Sequence, residues 1–316
     1  AAVIYPIILS DRLEVILSLP NQTLQHYSTK ISQTELELII EQFRHNLVIR
    51  SRRNFYRSAQ KLYDLIIRPA VDDLTKSNLK TLVFIPDGAF RNIPLSALYD
   101  GKHYLLEDYS IALTPGLQLL NPRPLEQVKL KTIAAGLTES DDGFAELNYV
   151  ASELKEIASR IDSRVLVNQD FTSAALKQEI QDSDYPIVHI ATHGQFSSAL
   201  EDTFLLTWDD RLNINELGSI LQTRNVDLNN AIELLVLSAC ETATGDNRAA
   251  LGMAGMAVRA GAKSTLATLW SVNDRATAKL MSSFYQELSA QHLPKAEALR
   301  QAQLTLLHNP WYRHPF

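Results

Sequence analysis

The chain has 316 residues, 46% of them apolar and 21% charged, a composition of soluble globular proteins long enough for one large or two ordinary domains. A formal charge of −6 excludes the basic footprint expected of nucleic-acid or membrane-surface binding. One cysteine excludes an intrachain disulfide and fits a reducing compartment, and the absence of any run near 18 apolar residues or of a signal-peptide pattern makes cytoplasmic the expected location. The opening Ala1-Ala2-Val3-Ile4-Tyr5 lacks methionine and reads as part of a longer protein.

Residues 2–9 and 13–19 are β-rich runs on either side of Ser10-Asp11-Arg12, which reads as a hairpin. From Ser32 the period changes. Leu36, Ile39, Ile40, Phe43, Leu47, Leu62 and Ile66 recur at helical spacing, with Ser32 and Glu35 placed as a capping box; the stretch is expected to be broken once and to end before Pro69 or shortly after it. The basic cluster Arg50, Arg52, Arg53 shares this stretch with Glu35, Glu37 and Glu41 and reads as a solvated helix face. Thr81–Ile85 is an apolar run closed by the turn signal Pro86-Asp87-Gly88. Pro122-Arg123-Pro124 marks the expected internal boundary.

Beyond it, apolar runs at 132–136, 164–167, 187–191, 234–237 and 264–269 are spaced by helical patterns at 147–161, 172–181, 213–221, 249–260, 275–288 and 295–308. Short unalternating strands separated by helices predict an α/β fold with a mostly parallel sheet covered on both faces. The chemistry of such sheets gathers at the carboxyl ends of the strands.

Two of these runs end in reactive residue types. One is Ile187-Val-His189-Ile-Ala-Thr-His193-Gly194 and the other Leu234-Leu-Val-Leu-Ser238-Ala-Cys240-Glu241-Thr242. The 47 residues between His193 and Cys240 approach the roughly 50 of caspase-type proteases. A free cysteine ending an apolar strand is otherwise a small buried hydrophobe. Three features favour a nucleophile: the polar turn after Cys240, a small-residue helical pattern soon after it, and a histidine leaving a comparable strand. A thiolate is the working nucleophile, and an imidazole that takes its proton is what the chemistry requires.

Gly194 permits close backbone approach, and its N–H with that of Cys240 would form a two-donor oxyanion hole. His189 lies within the strand and reads as structural. On an extended chain it sits roughly 13 Å from His193, which argues against a metal pair. Asp184 and Asp202 lie near His193 in sequence, but nothing fixes their direction, so a Cys–His dyad is the economical reading. No glycine-rich phosphate loop follows any strand, and no cofactor or metal is expected.

These segments, with Ala260-Gly-Ala262, Thr268-Leu-Trp-Ser-Val-Asn-Asp274 and Ile85-Pro-Asp-Gly-Ala-Phe-Arg-Asn-Ile-Pro-Leu-Ser-Ala-Leu98, resemble the CHAT domain, a caspase-like cysteine peptidase family allied to separase. The resemblance runs from about Ser32 to the end. It implies a caspase-like three-layer αβα sandwich, preceded by an N-terminal β-hairpin segment (1–31) and a long helix. Within 32–316 it implies a degenerate N-terminal half (32–124) and a catalytic half (125–316). It also implies His193 as general base, Cys240 as nucleophile, and the amides of Gly194 and Cys240 as oxyanion donors.

Caspases carry glutamine two positions before the cysteine, as a substrate contact for an acidic residue; here that position is Ser238. The segment ending in Asp274 is instead similar to the separase segment whose aspartate receives an arginine, which implies cleavage after a basic residue. The alternative for Asp274 is the N-cap of the helix that follows it. Pro310-Trp-Tyr-Arg-His-Pro-Phe316 resembles the start of the closing strand of the family, cut short. The expected partners are a protein substrate and a repeat-containing N-terminal region or regulatory protein. The rival function is a catalytically quiet signalling or scaffolding module.

Overall fold

The computed structural model describes residues 1–49, 52–116, 125, 129–139, 143–196, 203–224, 231–238, 241–242, 262–269, 272–312 and 314. The chain divides into two compact units, Ala1–Leu119 with Leu299–Phe316, and Leu120–Ala298. The helix expected at 249–260, the Pro122-Arg123-Pro124 boundary and Cys240 lie outside the described residues, as do Arg313, Pro315 and Phe316.

In the first unit, β1 (Ala2–Ile8) and β2 (Arg12–Ser18) form the expected antiparallel hairpin. A third strand follows, β3 (Gln25–Lys30), then helices α1 (Gln33–Val48), α2 (Arg52–Ile66) and α3 (Val71–Ser77), strand β4 (Thr81–Phe84), the short α4 (Leu105–Asp108) and β5 (Ser110–Leu113). The sheet order is β3-β2-β1-β4-β5. Because β1 pairs with β4 in parallel, the strands of residues 1–31 share one sheet with the segment after them.

Ser32 caps α1 by accepting from the Glu35 amide, and Leu36, Ile39, Ile40, Phe43 and Leu47 form its buried stripe. The expected break falls at Ile49, after which Phe55 of α2 returns to stack on Phe43, with ring centroids 5.4 Å apart. β3 escapes a hydrophobic reading because Gln25-His-Tyr-Ser-Thr-Lys30 is a polar edge strand, held by pairing with β2 rather than by burial.

The second unit runs β6 (Lys131–Gly136), α5 (Val150–Arg160), β7 (Asp162–Val167), α6 (Ser173–Asp182), β8 (Ile187–Ala191), β9 (Gly194–Phe196), β10 (Phe204–Leu206), β11 (Arg211–Asn213), α7 (Ile214–Gln222), β12 (Leu234–Ser238), β13 (Glu241–Thr242), β14 (Thr265–Ala267) and α8 (Asp274–Ala290). Helix α9 (Lys295–Leu307) follows. Strands β14-β12-β8-β6-β7 make an all-parallel sheet, and every residue of β8 and β12 is buried, as central strands covered on both sides must be.

Alternation along the strands sorts the two faces. Ile133, Ala135, Val188, Ile190, Leu235 and Leu237 pack against α6 and α7 through Leu176, Ile180, Leu217 and Leu221. Ala134 and Ala191 face α5 through Val150 and Leu154. Helix α5 lies close to the sheet because Gly136 has no side chain: a Cβ there would meet the Ala191 carbonyl at 2.6 Å and Val150 Cγ1 at 2.7 Å. Helices on both faces of a mostly parallel sheet give the caspase-like αβα sandwich that the sequence leads one to expect. A small second sheet, β11-β10-β9-β13, springs from the rim where β8 and β12 end.

Candidate active site

His193 leaves the carboxyl end of β8, and two registers fix its surroundings. Below it, Ser238 at the end of β12 is paired with Ala191 at the end of β8. Above it, Glu241 of β13 is paired with Gln195 of β9. Residues on both sides of Cys240 are thus paired with residues on both sides of His193, which brings their two chain segments to one rim of the sheet. Gly194 opens β9, opposite Leu205 of β10.

The imidazole of His193 is 9% exposed and lies stacked on Phe144, with ring centroids 5.0 Å apart and planes at 28°. Its Nε2 is 2.6 Å from the Ala145 carbonyl. A carbonyl only accepts, so Nε2 carries the proton and Nδ1 is left as the basic nitrogen of the neutral ring. The segment bearing Ala145 is itself anchored. Leu147 N–H donates to Thr138 O, and Thr138 exchanges hydrogen bonds with the Asn168 side chain.

The group that orients the His193 ring is therefore a backbone carbonyl. Asp184 does not fill the role, since it pairs with Lys131, and Asp202 lies outside the described residues. No side-chain pattern announces a carbonyl, which is why sequence reading passes over Ala145.

Asp274 does not cap α8. That role falls to Asn273, whose Oδ1 accepts from the Ala276 amide at 3.0 Å. One residue further on, Asp274 is free to reach across to the start of α5, where its Oδ2 accepts from the Tyr149 amide at 2.8 Å. Its other oxygen, Oδ1, is buried with no hydrogen-bond partner among the described residues, although the residue as a whole is half-buried. Burial pushes the Asp274 carboxyl above the usual aspartate range. The Tyr149 amide and the His193 ring pull the other way, and the charge of Glu153 adds to the rise.

Ser238 is fully buried, and its hydroxyl donates to Glu153 Oε1 at 2.7 Å. The same oxygen lies 2.9 Å from His189 Nε2, and His189 Nδ1 lies 3.2 Å from the Tyr285 hydroxyl of α8. Burial pushes the Tyr285 hydroxyl well above its ordinary range, which keeps it a neutral phenol. His189, read as structural from its place in the strand, is the centre of this network. Glu153 had a signal of its own. It sits among Val150, Leu154 and Ile157 on the buried face of α5, a carboxylate where the helical period calls for an apolar side chain.

Among the described residues, no group of three His, Cys, Asp or Glu side chains is suited to hold a metal ion, and no helix is long and apolar enough to cross a membrane. No curated protein sequence matches the chain significantly. The model of one family, the CHAT domain, matches residues 56–316, beginning somewhat later than the motifs alone suggest. That match takes in both strand exits, the oriented histidine and Asp274, and the chain belongs to the CHAT domain family, a relative of the caspase-like cysteine peptidases.

Proposed function

We propose that this CHAT domain is a cysteine endopeptidase in which Cys240 and His193 act as a dyad. The observation that carries the reading is the double register on the rim, Ser238 with Ala191 and Glu241 with Gln195, bracketing both residues. His193 Nδ1 takes the thiol proton, and the thiolate attacks the scissile carbonyl. The amides of Gly194 and Cys240 receive the oxyanion. The C–N bond then breaks as the imidazolium gives its proton to the leaving amine, and water hydrolyses the thioester. The Ala145 carbonyl supports this cycle by holding one tautomer and by favouring the imidazolium once it forms.

Asp274 is the proposed receptor for a basic side chain next to the scissile bond. Its buried Oδ1, without a hydrogen-bond partner among the described residues, is an acceptor that an arginine or lysine N–H would satisfy. Ser238, the other position expected to contact substrate, is fully buried and turns its hydroxyl inward to Glu153, so its side chain does not face a substrate. A lone reactive thiol suits a reducing, cytoplasmic setting.

The test is cleavage of fluorogenic peptides ending in Arg, Lys or Asp, with wild type beside Cys240→Ala and His193→Ala. Arg and Lys peptides are expected to be cut, with each substitution costing about 10³-fold or more in kcat/KM. Cleavage that survives Cys240→Ala would refute the dyad. No cleavage together with an ordinary thiol at Cys240 would favour the quiet signalling module.

A further inference from the structure

We propose that Glu153 is a positioning residue for this site: a buried carboxylate that holds the exits of β8 and β12 in place, and with them the segments that lead on to His193 and Cys240. The inference rests on the peptidase reading and adds to it a residue outside the dyad.

The geometry is specific. One oxygen, Glu153 Oε1, is shared by Ser238, the last residue of β12, and by His189 of β8. Ser238 lies two residues before Cys240, and His189 four before His193. Glu153 therefore ties together the two strands whose next residues carry the chemistry. The groups facing it come from every element packed there: His189 from β8, Ser238 from β12, and Tyr285 and Asp274 from α8. Thr132 of β6 stands against Tyr285.

With Tyr285 a neutral phenol, the donors can line up toward Glu153 Oε1, while Glu153 Oε2 is buried with no hydrogen-bond partner among the described residues. The Tyr285 O–H donates to His189 Nδ1, and His189 Nε2–H and Ser238 O–H both donate to a carboxylate. Both helices are also pinned at the rim, since Asp274 at the start of α8 accepts from Tyr149 at the start of α5. A buried carboxylate is costly where an apolar residue would pack, and it persists where it fixes geometry.

The experiment follows alkylation of Cys240 by iodoacetamide from pH 5 to 10 on the whole chain, where a single cysteine makes the mass shift unambiguous. Wild type, His193→Ala, Glu153→Gln and the double variant are compared. His193→Ala is expected to raise the apparent thiol pKa to about 8.5. Glu153→Gln is expected to move it most of the way there and to slow alkylation at pH 7 about tenfold. The double variant is expected to match His193→Ala within about twofold, because both act through the same pair.

A Glu153→Gln profile that superimposes on wild type, while His193→Ala shifts, would overturn the positioning role alone. Effects that multiply in the double variant would overturn it too. If His193→Ala leaves the profile unmoved, the peptidase reading fails and takes this inference with it. Should Glu153→Gln not fold, Ser238→Ala removes one hydrogen bond without changing charge. It is expected to slow alkylation about threefold, and no change would count as refutation.

Discussion

The two units bury different chemistry. Around the mixed sheet of the first unit, the only buried polar side chains among the described residues are Ser58 and Ser110; Ser58 satisfies itself on the carbonyls of Asn54 and Phe55. The rest of that core is aliphatic and aromatic, with Phe43, Phe55, Phe84 and Phe90 fully covered. The second unit buries Glu153, His189, His193, Arg224 and Glu233. Three of these lie along or beside β8, on the face that α5 and α8 cover. Apolar burial needs no partner, whereas a buried ionisable group needs one and still stabilises less than an apolar side chain of its shape. The core of the first unit is thus set by packing, whereas that of the second also has to satisfy buried ionisable groups beneath its strand exits.

That contrast is open to direct test. The largest expected effect lies in the first unit. Phe55→Ala removes a ring stacked on Phe43 and is expected to cost about 3–5 kcal/mol in urea unfolding. A loss below about 1 kcal/mol would mean that the aromatic cluster is not what holds this unit.

Next is an exchange that makes the second unit resemble the first: Glu153→Met, His189→Leu, Ser238→Ala and Tyr285→Phe together. Replacing a buried polar network by apolar groups of similar volume is expected to leave stability unchanged or raise it by about 1–4 kcal/mol, while Cys240 loses its reactivity at neutral pH. A strong destabilisation would show that the network holds the fold itself.

The smallest effect concerns Asp274. Burial raises its pKa in the folded state above that of the unfolded chain, so the folded state holds this proton more readily. The cost of the ionised form is therefore present in full above the raised pKa and fades as the pH falls through it toward the unfolded value near 3.9. Asp274→Asn, whose oxygen still accepts from Tyr149, is expected to be slightly more stable at pH 7, a modest gain because the residue is half open to solvent. At pH 3 the difference should vanish in thermal melts. The same variant should lose cleavage after Arg and Lys, and stabilisation without that loss would separate Asp274 from substrate recognition.

Local pattern alone was enough for much of this protein. Unalternating apolar runs specify the central strands β8 and β12 of the parallel sheet, since a strand covered on both faces has no polar positions to spare, and the helical period places α1, α5 and α8 within a few residues. His193 follows the end of a strand and Asp274 opens a helix, as the local pattern suggests, and the residues on either side of Cys240 belong to paired strands. Tertiary structure decided what pairing and direction decide. The polar edge strand β3 and the small sheet β11-β10-β9-β13 exist only through hydrogen bonds to other strands. Tertiary structure also supplies the carbonyl of Ala145 that turns His193, and the carboxylate of Glu153 to which Ser238 and His189 both turn. A residue's type is local information, but the partner that its polar atoms face is chosen by the whole chain when it closes around them.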